Sequence, residues 1–350
     1  MRLFTCQSCG NAVYFENTRC ERCGAALGFL PDRLQLSALR VLDDGTFEPF
    51  AAPGTQWRAC GHAGAHGCNW LVPEASNGPW CAADALNRTI PDLSLAENVE
   101  RWQVLERAKR RLVYSLLRLG LPLVSKAVDA AHGLAFDFLA DQPDGTTALT
   151  GHVDGVVTIN VAEADPVEGL RRREQLDELY RTVLGHFRHE IAHYYWERLV
   201  EAGDRLDACR ALFGDERCDY QAAIQRHYAE GPPSDWQDRH ISPYAAAHPW
   251  EDWAETFAHY LHIIDTLDTA QSFGISVDPA APAAPGVDTE RLGDAYAPRS
   301  AKALVEAWLP LSFAVNSLNR SMGLGDLYPF VLTAPVIAKL DFVRSIVRAR

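Results

Sequence analysis

Apolar and polar positions along this chain follow two periods, and the change between them marks its organisation. From Ala96 to Leu119 ("AENVERWQVLERAKRRLVYSLLRL") apolar residues recur at helical spacing with no Gly or Pro to break the run, which predicts one long helix. Two β-rich runs follow, Leu134–Leu139 ("LAFDFL") and Gly155–Ala162 ("GVVTINVA"), separated by a Gly/Asp/Thr turn region. Helical periodicity returns over about 167–201, then in shorter stretches near 215–229 and 249–268. Two helices over about 300–319 and 335–348 close the chain. Gln271–Arg299 contains "DPAAPAAPG" and is too long for a simple connection, so it is expected to be a flexible linker or a lid. There is no internal repeat of 20–50 residues. The pattern predicts an α+β chain, mostly helical, with a small β-sheet.

The first 94 residues differ in composition. Residues 1–30 are dense in Cys and Gly, and 55–92 reads as loop with three more cysteines. The expected division is a small module at 1–30, a Cys-containing loop-rich region at 31–94 and a main domain at 95–350. The 350 residues suffice for a sizeable core, and the net charge of −13 is opposite to that of a general nucleic-acid or anionic-membrane binder. No signal-peptide pattern opens the chain and no apolar run reaches bilayer length, so a soluble, cytosolic protein without membrane contact is expected. Nine cysteines then need a reason other than disulfides.

Their spacing supplies it. Cys6-x-x-Cys9 and Cys20-x-x-Cys23 make two knuckles whose four thiolates can surround one metal, and soft sulfur in tetrahedral geometry favours zinc. Gly10 and Gly24 follow each pair where a tight turn is needed. The role is read as structural, because about 30 residues cannot build a core of their own. Cys60, Cys68 and Cys81 form a second group that would need a fourth donor. Asp84 has knuckle spacing from Cys81, and His62 and His66 are the other candidates. Cys209 and Cys218 lie in helical sequence and read as plain thiols.

Chemistry concentrates in His186–Trp196 ("HFRHEIAHYYW"), which contains His189-Glu190-x-x-His193. Residues four apart share a helix face, so both imidazoles can reach one zinc, and Glu190 beside them can act on a zinc-bound water. Ile191, Tyr194, Tyr195 and Trp196 make the helix apolar on several faces, which predicts burial, and buried histidines need partners. His186 reads as a surface or supporting residue. A third ligand six residues beyond His193 is excluded, since Leu199 stands there and Trp196 replaces the required Gly. The next candidates are Glu251 and Glu255 in "HPWEDWAE" (248–255), four apart at the start of a predicted helix. One would bind zinc and the other would accept a hydrogen bond from a ligating His.

With these motifs in view, the chain resembles the bacterial zinc-binding metallopeptidases that carry an N-terminal zinc ribbon. The resemblance covers nearly the whole chain. It rests on "FTCQSCGNAVYFENTRCERCG" (4–24), "GCNWLVP" (67–73), "NRTIPDLS" (87–94), "GHVDGVVTINVAEAD" (151–165), "HEIAH" (189–193), "HPWEDWAETFAHYLH" (248–262) and "LNRSMGLGDLYPF" (318–330). The catalytic half is also similar to the gluzincin arrangement of the anthrax lethal factor catalytic domain. That likeness implies Glu251 as third ligand, Glu255 as the supporting acid and Tyr244, seven residues before Glu251, as a hydroxyl for the oxyanion. Family members complete the second cysteine cluster with Cys where this chain has Asp84. In zincins a strand above the active helix offers its edge to an extended substrate, the part expected of "GVVTINVA".

The expected protein is a zinc peptidase acting on peptides or proteins. It would carry one catalytic zinc, one structural zinc and, if the second cluster is filled, another. Glu190 would be its general base. The rivals are a zinc adaptor without catalysis, using the ribbon to bind protein or nucleic acid, and a DNA-associated ribbon protease. The acidic balance weighs against nucleic acid.

Overall fold

The computed structural model describes residues 2–141, 147–165, 182–278, 293–297 and 299–349. The chain forms two compact units, Met1–Gly169 and Leu170–Arg350. The expected boundary at residue 94 falls inside the first.

In the first unit, β1 (Phe4–Thr5) and β2 (Ala12–Val13) form the ribbon hairpin. An antiparallel meander follows: β3 (Leu27–Leu30), β4 (Gln35–Val41), β5 (Phe47–Pro49), β6 (Trp57–Ala59) and β7 (Leu71–Pro73), with α1 (Ala63–His66) before β7. Residues 31–94 are thus organised by a five-stranded sheet rather than by loops. Three of its strands are three residues long, too short to reveal a period of two. The ribbon has no separate core. Phe15 packs on Phe29 of β3 at 5.0 Å and on Tyr114 at 5.2 Å, and Phe29 lies 4.7 Å from Trp70.

Tyr114 belongs to α2 (Ala96–Leu119), which ends where predicted, at Gly120 in the left-handed region. α2 connects β8 (Asn87–Thr89) to β9 (Ala135–Leu139), parallel neighbours in a second sheet. Its order is β10 (Gly151–Val153), β11 (Val156–Asn160), β9, β8. The expected substrate-binding strand is therefore corrected: β11 is paired on both sides, antiparallel to β10 and parallel to β9, and has no free edge.

The β10–β11 turn has two residues, Asp154 (φ +48°) and Gly155 (φ +72°), as a tight hairpin matching strand twist requires. A Cβ on Gly155 would meet the Gly133 carbonyl oxygen at 2.4 Å, so glycine is needed on two counts. Beside it, buried His152 accepts a hydrogen bond from the Gly155 N–H through Nε2 at 3.1 Å.

The second unit is helical: α3 (Val183–Tyr195), α4 (Leu206–Phe213), α5 (Tyr220–Glu230), α6 (Trp236–Arg239), α7 (Pro249–Ser272), α8 (Ala301–Ser321) and α9 (Ala334–Arg348). The Thr182 hydroxyl caps α3 by accepting the Gly185 N–H. After Tyr195 the helix widens into a π turn, Trp196–Glu201. The predicted helical stretch before 182, and the centre of the expected linker or lid, lie outside the described residues. Cys209 is buried in α4 as expected, but Cys218 is exposed in a bend, because Gly214 has already ended the helix at φ +101°.

α3 packs on α7, with fully buried Tyr195 stacked on Phe257 at 5.9 Å and fully buried Ala192 against Trp253. The Trp253 indole N–H donates to the Ala192 carbonyl at 2.8 Å, locking the two helices in register. Further along, buried Arg188 bonds both His262 and Asp265. Lys339 of α9 holds Asp252, in the first turn of α7, at 2.5 Å.

Burial pushes the His152 imidazole down to about 4, because its charged form would lose hydration. The unfolded chain, with His near 6.5, then binds a proton the folded chain refuses. This contribution to stability is full above about pH 6.5 and is lost as pH falls toward 4. Denaturant unfolding of the wild type should lose about 2 kcal/mol more between pH 7 and 5 than His152→Gln does. Parallel losses would clear His152.

Candidate metal centres

Four sites of clustered donors stand out among the described residues, two of them sharing Asp84. The one in the second unit consists of His189, His193 and Glu251. α3 supplies His189 and His193 from one face, with ring centroids 5.0 Å apart. α7 supplies Glu251 from its first turn. His248 caps that helix, its Nδ1 accepting the Trp250 N–H, and Pro249 opens it. His189 Nε2 lies 3.3 Å from His193 Nε2 and 3.0 Å from Glu251 Oε2, and His193 Nε2 lies 3.8 Å from the same oxygen.

Hydrogen bonds hold His189 and Glu251 on their far sides. His189 Nδ1 donates to Glu255 Oε1 at 2.7 Å, which turns Nε2 toward His193 and Glu251. Ser242 Oγ donates to the other Glu255 oxygen at 2.6 Å. Tyr220 donates to Glu251 Oε1 at 2.9 Å. Glu251 is 1% exposed, yet its Oε2 has no hydrogen-bond partner. Burial opposes charge on both carboxylates, but the neighbouring histidines hold each down to about 2. Two imidazoles and one anionic carboxylate with an orphaned buried oxygen make a donor set that suits a divalent cation, and nitrogen and oxygen ligands suit zinc.

The other predicted residues fall around this cluster. Glu190 is half-buried on α3, and its charge acts on the phenols of Tyr220 and Tyr244. The Tyr244 ring lies 5.9 Å from the His189 ring. His186 is half-buried and outside the donor set. Sequence reasoning missed Ser242 and Tyr220, which fix the two carboxylates, and Trp250, whose ring covers His193 at 4.1 Å. Only Tyr220 has a local signal: it follows Asp219, whose side chain caps α5.

In the first unit, Cys6, Cys9, Cys20 and Cys23 converge as predicted, with sulfur pairs at 3.6 and 3.8 Å. Gly10 and Gly24 have φ of +72° and +74°, closing turns that donate to the Cys6 and Cys20 carbonyls. Backbone N–H groups of Cys23 and Arg22 favour the Cys20 thiolate, at about 6.

Cys60, Cys68, Cys81 and Asp84 also converge, all buried. His62 Nδ1 and His66 Nε2 reach Asp84 Oδ2 at 3.1 and 3.0 Å. Arg110 donates to His66 Nδ1 at 2.7 Å, so the proton of neutral His66 sits on Nε2 and points at Asp84. His66 is thus a holder of the carboxylate, and Asp84 Oδ1, buried without a hydrogen-bond partner, is the atom left over.

A cysteine ribbon and a two-His, one-Glu donor set are features of zinc-binding proteins. The chain belongs to the family described as "Putative zinc-binding metallo-peptidase", whose model matches residues 98–346, and a zinc-ribbon domain matches 3–95. It is 43% identical over 348 residues to proteins of Mycobacterium tuberculosis and Mycobacterium bovis, "Uncharacterized protein Rv2568c" and "Uncharacterized protein Mb2598c", covering 99% of this chain and 95% of each of theirs. No solved structure matches it.

Glu255→Gln should weaken zinc binding at the His189 cluster about 10–100-fold, the usual effect of losing a carboxylate behind a ligating His. Competition with a chromogenic chelator measures this, and unchanged affinity would remove Glu255 from the role.

Proposed function

We propose that this chain is a zinc-dependent peptidase of the gluzincin type, with His189, His193 and Glu251 holding the metal. The observation that supports it best is the convergence of three donors, half-buried His189 with buried His193 and a buried, unpartnered oxygen of Glu251, beside an acid that stays out of the set. Bound there, zinc would lower the pKa of a water and polarise the scissile carbonyl. Glu190, adjacent to His189, takes the proton of the attacking water and delivers it to the departing amine. Burial and the Glu251 charge hold the Tyr244 phenol well above its usual range, so it stays protonated and can donate to the oxyanion. Ser242 and Glu255 keep His189 oriented, and Tyr220 holds the second oxygen of Glu251.

Two structural zincs complete the reading. One takes the four ribbon thiolates. The other takes Cys60, Cys68, Cys81 and Asp84, with His62 and His66 bracing the carboxylate as hydrogen-bond partners.

Glu190→Gln should lower cleavage of a diverse peptide library at least about 100-fold while zinc content stays at the wild-type level. Mass spectrometry and elemental analysis read the two quantities, and retained cleavage would sink the mechanism. Glu251→Ala should lose the catalytic zinc; retained metal would move the ligand role elsewhere. Asp84→Ala should lower the zinc content by one ion per chain, and an unchanged count would strike Asp84 from the ligands.

A further inference from the structure

We propose that Tyr220 is a positioning residue of the metal centre: by occupying one oxygen of Glu251 it confines that ligand to the other, and so keeps a coordination position open for water and the scissile carbonyl. This rests on the peptidase reading above and deepens it. A carboxylate can hold a metal through one oxygen or through both. With two imidazoles in place, a Glu that binds through both oxygens takes up room that a catalytic site leaves for water. The partner of the far oxygen decides between the two modes.

In this protein the far oxygen is taken. The Tyr220 hydroxyl donates to Glu251 Oε1 at 2.9 Å. Oε2 is the oxygen that faces the imidazoles, 3.0 Å from His189 Nε2 and 3.8 Å from His193 Nε2, and it has no hydrogen-bond partner. Glu251 is thus divided, one oxygen for a phenol and one for a cation. A phenol is a donor at neutral pH, and burial and the Glu251 charge push the Tyr220 hydroxyl further toward its protonated form.

The phenol is placed by contacts other than the carboxylate. Tyr220 opens α5, where the Asp219 side chain accepts the Ala222 N–H at 3.0 Å. Its ring lies 5.2 Å from the His248 ring and 6.1 Å from the Trp250 ring, both within three residues of Glu251. His248 Nε2 donates to the Cys218 carbonyl at 3.2 Å, which ties the chain just before Tyr220 to the cap of α7. The other phenol of the centre, Tyr244, packs instead against the His189 ring at 5.9 Å, so the two tyrosines have separate tasks.

Withholding an oxygen and bracing a ligand have opposite signatures. Loss of a brace lowers metal affinity, commonly about 10–100-fold. Loss of a residue that withholds an oxygen lets the second oxygen reach the metal, which keeps or raises affinity while the open position fills.

The test compares the full-length protein with Tyr220→Phe, which keeps the ring and removes the hydroxyl alone. Chelator competition reads zinc affinity at the His189 cluster. Visible absorption reads the coordination number of cobalt placed there while zinc stays in the thiolate sites. Tyr220→Phe should bind zinc at least as tightly as the wild type and give the weaker cobalt absorption of a higher coordination number. On a peptide that the wild type cuts, its kcat should fall about tenfold or more with KM little changed. An affinity about 10–100-fold lower with an unchanged cobalt spectrum would make Tyr220 a brace and overturn the proposal. A wild type whose cobalt already shows the higher coordination number would overturn it too, and that arm needs no variant to fold. A wild type with the four-coordinate spectrum that cuts no peptide would sink the peptidase reading and leave the division of Glu251 standing.

Discussion

The helical unit depends on one crossing, that of α3 over α7. A four-residue spacing on the first helix, His189 to His193, faces a four-residue spacing on the second, Glu251 to Glu255. The Trp253 indole bonded to the Ala192 carbonyl fixes how the two helices slide past each other. A slip of one turn, about 5.4 Å, would carry Glu251 away from both imidazoles and leave Glu255 facing the wrong edge of His189. Packing and chemistry are therefore one constraint here: Trp253 lies between the acids in sequence and holds the register that lets both of them work.

That crossing gathers like charge, and the surrounding structure compensates. Two carboxylates stand within reach of one imidazole, Glu251 buried and Glu255 half-buried. Each has a second oxygen satisfied by a hydroxyl, from Ser242 or Tyr220. The pattern recurs at Asp84, braced by His62 and His66 while Arg110 sets the His66 tautomer. In both places a carboxylate is held on one side by neutral or cationic donors and left with a bare oxygen on the other. Such an arrangement is costly without a cation and well prepared for one.

The sequence was most legible where period and spacing carry the information. The long run Ala96–Leu119 became a helix with those bounds, and His189 and His193 share a face as their spacing implied; that Glu251 rather than Glu255 meets them was implied by the resemblance, not by spacing. It was least legible where partners come from distant positions. Nothing near Ser242 announces that its hydroxyl will meet Glu255, and Trp250 covers His193 only after α3 and α7 cross. The five-stranded meander escaped notice because its strands are short. The strand Val156–Asn160 was found, but its pairing was not, since periodicity says which face is buried and nothing about neighbours.

The π turn at Trp196–Glu201 has a consequence for how such a protein can change. Widening the coil by one residue rotates everything after it, so the stripe that carries His189 and His193 cannot continue along the same helix. The third donor of the cluster comes from a separate segment, as Glu251. The stretch between the two segments, which includes α4 and α5, supplies none of the three donors, though Tyr220 bonds one of them. Apart from Tyr220, substitutions there leave the three donors where they stand, so that stretch can drift in sequence while the cluster persists.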